Sequence, residues 1–123
     1  MYELKVRTHF AAAHQLKLVA LKCENLHGHN WKIEVYLKGR ELNDAGVLMD
    51  FGEIKAAVNG IMNELDHKYL NELECFKSRN PSSENIANYI AHALQEKINT
   101  TGVKVSRVTA WESDDACATY FFD

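Results

Sequence analysis

The chain has 123 residues, 46% of them hydrophobic and 25% charged, with a formal net charge of -3. These are the proportions of an ordinary globular protein with one core, and the slight acidity excludes general attraction to nucleic acid or to an anionic membrane. No apolar run approaches the roughly eighteen residues of a membrane span.

Three cysteines, Cys23, Cys75 and Cys117, stand at scattered positions. An odd, irregular set argues against a disulfide framework and for a reducing compartment, so cytoplasm is expected. Met1 to Arg7 alternates and carries charge, which is not the pattern of a signal peptide. With no repeats, linkers or low-complexity runs, a single domain over 1–123 is expected.

Tyr2, Leu4, Val6, Thr8 and Phe10 alternate with charged neighbours, the period of a half-buried strand. Trp31, Ile33, Val35 and Leu37 predict a second strand, followed by a turn region from Lys38 to Gly46. The period then changes. Asp50 is a good N-cap with Glu53 three residues on, and Ile54, Val58, Ile61 and Leu65 follow at helical spacing to about Asp66.

A second helix is predicted after Asn80-Pro81-Ser82-Ser83, with Ser82 or Ser83 as cap and Ile86, Ile90, Leu94 and Ile98 on one stripe. Val103 to Trp111 and Ala118 to Phe122 read as two final strands. The order strand, strand, helix, helix, strand, strand favours an α+β fold, an antiparallel sheet covered on one face by two helices. The other face needs burial as well unless Trp31, Tyr36 and Phe121-Phe122 all point at the helices, and association is one way to supply it.

The most specific local feature is His27-Gly28-His29, which leads into the second strand. Residues two apart on a strand share a face, so both imidazoles can converge on one ion. His14 follows the first strand and can add a third ligand if the two strands pair. Three imidazoles suit zinc with a fourth position open, the arrangement of a catalytic site. The competing reading is a turn with two surface imidazoles, and spacing leaves both open. His9 and His92 fall outside the cluster and read as exposed.

Cys23, beside Lys22 and close to a bound cation, is a candidate nucleophile or base; Cys75 and Cys117 read as small buried hydrophobes. Asp66-His67 ends the first helix, where a carboxylate can orient an imidazole for proton transfer, or the pair can serve the helix end alone. Glu112, in Trp111-Glu112-Ser113, is either a surface acid or a buried carboxylate that accepts two N–H groups from a heterocycle. No phosphate-binding glycine loop and no serine-hydrolase signature is present.

Taken together, His14, Cys23, His27-Gly28-His29-Asn30, Met49-Asp50-Phe51-Gly52-Glu53-Ile54-Lys55, Leu65-Asp66-His67, Asn80-Pro81-Ser82-Ser83-Glu84-Asn85 and Glu112 resemble the 6-pyruvoyl-tetrahydropterin synthase family. The motifs run nearly end to end and in order. Three residues separate Cys23 from His27, a gap similar to that of the bacterial 6-carboxy-tetrahydropterin synthase branch of queuosine biosynthesis. Ser82-Ser83 stands where relatives usually carry threonine, with the hydroxyl kept.

The resemblance implies a tunnelling fold, two helices on a four-stranded antiparallel sheet, with three subunits joined into a barrel and two trimers stacked as a homohexamer with interfacial sites. It implies Zn2+ on His14, His27 and His29. It implies a pterin substrate, 7,8-dihydroneopterin triphosphate, converted to 6-carboxy-5,6,7,8-tetrahydropterin, acetaldehyde and triphosphate. Cys23 would be the base, and His67, oriented by Asp66, the opposing proton carrier. Glu112 would anchor the pterin with help from Ser82 and Ser83, and Lys17, Lys22 and Lys32 are candidates for the triphosphate. The alternatives are a pyruvoyl-forming synthase and a non-catalytic zinc- or pterin-binding module.

Overall fold

The structure, a computed structural model, describes residues 1–17 and 25–123. Alternating side chains build β1 (Tyr2–His14) and β2 (His27–Gly39), which pair antiparallel along their whole length, from Tyr2 opposite Gly39 to His14 opposite His27. Helix α1 (Phe51–Leu65) starts at Asp50, whose Oδ1 accepts the Gly52 N–H at 2.8 Å. A two-residue strand, β3 (Lys68–Tyr69), follows it. Helix α2 (Ser83–Lys97) is capped by Ser82, whose Oγ accepts the Asn85 N–H at 3.1 Å. The chain ends in β4 (Lys104–Ser113) and β5 (Ala116–Phe121).

The sheet order is β3-β1-β2-β4-β5. The sequence predicted four antiparallel strands; the fifth, β3, lies parallel to β1 at Ala12 and Ala13. Two residues are too few to show a period, so no pattern announces it. β1 also continues past Phe10 through three alanines to His14, which is therefore within the strand and not after it.

Period two decides which side chains reach the helices. Phe10, Ala12 and His14 of β1 and Trp31, Ile33, Val35 and Leu37 of β2 turn inward, against Ile54, Val58, Ile61 and Leu65 of α1 and Ile86, Ile90 and Leu94 of α2. Each such apolar side chain contributes about 1.5–3 kcal/mol relative to exposure. Trp31 is fully buried and stacks on Phe10 with ring centroids 5.2 Å apart.

Tyr36 turns the other way and is buried by its own sheet face, under the Arg107 guanidinium at 3.9 Å and the Lys5 ammonium at 5.3 Å. Beside it Glu34 accepts the Trp111 indole N–H at 2.8 Å and pairs with Lys5 at 2.9 Å. Charged side chains with apolar stems thus cover part of the face the sequence left unassigned. Phe122 packs on the core edge, whereas Phe121 stays 61% exposed. Among the described residues, no helix is long and apolar enough to cross a membrane.

Candidate functional site

Strand register assembles the histidines. His14 faces His27 across the β1–β2 ladder, and His29 lies two residues along the same face, opposite Ala12. The rings meet edge to face, with centroids 4.5 Å apart for His27 and His29, 4.6 Å for His14 and His27, and 5.1 Å for His14 and His29. Trp31 forms the floor, its ring 4.8 Å from that of His14 and 5.1 Å from that of His29.

Hydrogen bonds fix two of the imidazoles. His14 is fully buried, and its Nδ1 is 2.8 Å from the Pro81 carbonyl oxygen. His27 Nδ1 is 2.8 Å from the Asn25 carbonyl oxygen. A carbonyl can only accept, so each Nδ1 carries the proton and each neutral ring presents a bare Nε2. Those two Nε2 atoms lie 3.0 Å apart. Two facing lone pairs at that distance call for a cation between them.

A carboxylate completes the group. Glu112 Oε1 is 3.4 Å from Nε2 of both His14 and His29, and the ligating atoms of His14, His27, His29 and Glu112 lie within 4.8 Å of one another. Three imidazole nitrogens and one carboxylate oxygen are a donor set that fits a divalent transition ion such as zinc. Glu112 owes its aim to a β-bulge. Trp111 pairs with Cys117 and Ser113 with Ala116, so Glu112 is the extra residue on β4. An alternation count does not reveal such a bulge, and only the family resemblance gave Glu112 a role at the site, as the pterin anchor.

Asp66 and His67 form a second constellation at the C-terminal end of α1. Asp66 Oδ1 accepts the Ala11 N–H at 2.8 Å, and the His67 N–H donates to the Ala11 carbonyl at 2.6 Å. Asp66 Oδ2 lies 2.8 Å from His67 Nδ1, which leaves Nε2 as the exposed nitrogen of a side chain 82% accessible. His67 has φ 59°, a left-handed conformation that a non-glycine residue adopts at a cost of about 1–3 kcal/mol. The Ala11 N–H, more than the neighbouring imidazole, holds the Asp66 carboxyl below its usual value of 3.8.

His67 opens into a cleft of about 670 Å³ over the outer sheet face, walled by Ala11, Ala13, Gly28 and Asn30, with His29 also in its lining. The Asp66 side chain bonds His67 and the Ala11 N–H, and the two backbone N–H groups donate to the Met62 and Ala11 carbonyls. The structure therefore brings His14, His27, His29 and Glu112 together within one chain and leaves Asp66 and His67 as a separate, solvent-facing pair.

The remaining predicted site residues divide. Ser82 and Ser83 are half-buried at the start of α2, next to the Pro81 carbonyl that holds His14, and Ser82 is committed as the cap. Cys23 and Lys22 lie outside the described residues. Lys17 is exposed, and Lys32 pairs with Asp114 at 3.0 Å on the outer face. Cys75 is half-buried and Cys117 exposed, so neither is the fully buried hydrophobe expected; burial raises the Cys75 thiol pKa. Not foreseen at all were Asn71 and Asn80, whose carboxamides bind the chain just beyond His14. Asn80 is visible in the sequence only as part of the break before α2.

The profile of the 6-pyruvoyl tetrahydropterin synthase family matches residues 3–122. A dihydroneopterin monophosphate aldolase of Pyrococcus furiosus is 37% identical over 109 residues, 89% of this chain and 88% of the relative. A 6-carboxy-5,6,7,8-tetrahydropterin synthase of Synechocystis sp. is 40% identical over 92 residues, 71% of this chain and 70% of the relative. Among solved structures, a 6-pyruvoyl tetrahydropterin synthase of Caenorhabditis elegans superposes with a TM-score of 0.87 at 26% identity, over 99% of this chain and 96% of that one. The family match runs nearly end to end and the fold superposes over almost the whole length, and the chain belongs to the 6-pyruvoyl tetrahydropterin synthase family, with its tunnelling fold.

Proposed function

We propose that this chain is a zinc-dependent 6-carboxy-5,6,7,8-tetrahydropterin synthase that acts in queuosine biosynthesis in the cytoplasm. It would convert 7,8-dihydroneopterin triphosphate and water to 6-carboxy-5,6,7,8-tetrahydropterin, acetaldehyde and triphosphate. The observation that carries the reading is the pair of bare imidazole nitrogens 3.0 Å apart, with His29 on the same face as a third ligand and the Glu112 carboxylate beside them for the pterin. Support also comes from the Synechocystis relative and from Cys23, four residues before His27.

His14, His27 and His29 would hold the zinc. Once bound it would supply Lewis acidity toward the side-chain hydroxyls of the pterin. Cys23 takes a proton from a side-chain carbon, and His67, with its Nδ1–H engaged by Asp66, offers Nε2 to the opposite side of the same carbon chain. Glu112 accepts two N–H groups of the pyrimidine edge, a charge-assisted pair that fixes the ring, and the Ser82 and Ser83 hydroxyls complete that end.

The exposed Asp66–His67 pair supports a site built by more than one copy. β5 forms one edge of the sheet, and β1 is covered on its outer side by β3 only at Ala12 and Ala13. Backbone groups along such edges pair with a further strand. Joining β5 of one copy to β1 of the next gives the expected barrel, and stacking two such rings gives a homohexamer with interfacial sites.

A second reading, a dihydroneopterin monophosphate aldolase, is favoured by the Pyrococcus relative. It predicts retro-aldol cleavage of a monophosphate, with the phosphate leaving on the released aldehyde. Incubation of the purified protein with the triphosphate and the monophosphate, followed by mass identification of every product, separates the two. A carboxylated tetrahydropterin from the triphosphate supports the first reading. A phosphorylated aldehyde from the monophosphate alone overturns it.

A further inference from the structure

The outer edge of β1 presents the backbone groups of odd-numbered residues, and different partners meet them in turn. Ala11 gives its N–H to the Asp66 carboxylate and accepts from the His67 N–H. Ala13 pairs with Tyr69 of β3. Beyond that point no strand continues, yet the ladder does. Asn71 Oδ1 accepts the Gln15 N–H at 2.9 Å, and its Nδ2 donates to the Gln15 carbonyl at 2.7 Å. Asn80 repeats the pattern on Lys17, at 2.9 and 2.8 Å.

A carboxamide carries one acceptor and one donor group in a plane, as a peptide does, so each side chain acts as a rung of a missing strand. Asn80 is itself held, because its carbonyl accepts from Asn85 Nδ2 at 2.8 Å. The next carbonyl, that of Pro81, takes the Nδ1–H of His14. His14, fully buried, is thus followed by two gripped residues, Gln15 and Lys17, and the stretch Asn80-Pro81 holds both its ring and the chain three residues on.

We infer that Asn71 and Asn80 are positioning residues that hold the end of β1 so that His14 directs Nε2 at the metal centre. The inference rests on the metal reading proposed above. Neither side chain is hydrogen-bonded to the ligating atoms; both act through the backbone that follows His14, at Gln15 and Lys17. Supporting hydrogen bonds of this kind, when removed, typically weaken metal affinity by about 10–100-fold.

The test compares Zn2+ affinity, by competition with a chromophoric chelator, in wild type, Asn71→Asp, Asn80→Asp and Asn80→Ser, with His27→Ala as control. The Asp variants keep size and acceptor but set a second acceptor against a backbone carbonyl; Asn80→Ser serves if Asn80→Asp does not fold. Circular dichroism and thermal melting of the metal-free proteins report the fold separately, and the visible spectrum of the Co2+ forms reports ligand geometry. The expected result is a dissociation constant raised at least about tenfold, with an altered Co2+ spectrum, in variants that remain folded without metal. Wild-type affinity and spectrum in the asparagine variants, with affinity lost in His27→Ala, would overturn the positioning role alone. Wild-type affinity in His27→Ala would overturn the metal centre and the positioning role with it.

Discussion

Removing the ion should be legible as heat stability, and His27 is the residue to perturb. His14 is fully buried, so its replacement damages packing as well as binding. His27 is half-buried, and among the described residues its protein hydrogen bond outside the cluster is to Asn25, so His27→Gln mainly removes a proposed metal ligand. A ligand that binds only the folded state at about 100 times its dissociation constant adds about 2.7 kcal/mol. For 123 residues the unfolding entropy is about 0.26 kcal/mol/K near the melting point, so saturating zinc should raise the melting temperature by about 10 °C. Differential scanning fluorimetry with zinc and with excess chelator gives both states. Wild type should lose about 10 °C on chelation, whereas His27→Gln should melt near the chelated value under both conditions. A full zinc-dependent shift retained in His27→Gln would refute the assignment of that ligand.

Three further outcomes follow from the site. Glu112→Gln should weaken pterin binding by about 2–5 kcal/mol, the cost of leaving paired groups without their charge, while zinc content holds; calorimetry and metal analysis on one preparation check it, and loss of zinc instead would make Glu112 a ligand. Cys23→Ala should retain zinc and lower turnover by about two to four orders of magnitude, read as product formed per chain; unchanged turnover removes it from the chemistry. The Asp66 carboxyl is depressed in the folded state, so the stability it lends is present above its ordinary value of 3.8 and is lost as pH falls through the lowered one. The gap in melting temperature between wild type and Asp66→Asn should therefore be constant well above pH 3.8 and close below it; a gap that widens in acid would contradict the bonding of Asp66 to Ala11.

How far the sequence could be read depended on whether a feature repeats. The alternation from Tyr2 and from Trp31, and the helical stripes after Asp50 and Ser82, carry their own period, and those elements stand where the pattern puts them. His27 and His29 on one strand face follow from the same argument, and His14 joins them because the register pairs it with His27. What repeats nothing was not legible. β3 is two residues long, Glu112 turns inward through one inserted residue, and the left-handed His67 has no glycine to mark it. Asn71 and Asn80 bind backbone 56 and 63 residues away, which no local pattern encodes. The separation of His67 from the histidines follows from sheet geometry, and only the folded chain displays it.

The central claim concerns which bonds break in the substrate, and the released two-carbon fragment reports it most directly. The purified, zinc-loaded protein should be given 7,8-dihydroneopterin triphosphate, with acetaldehyde and 6-carboxy-5,6,7,8-tetrahydropterin measured in the same time course. The account predicts that the two rise together in equal amounts, and that neither forms in the chelated protein or in His27→Gln. A pyruvoyl-tetrahydropterin that accumulates without acetaldehyde, or no turnover of the triphosphate at all, would contradict it.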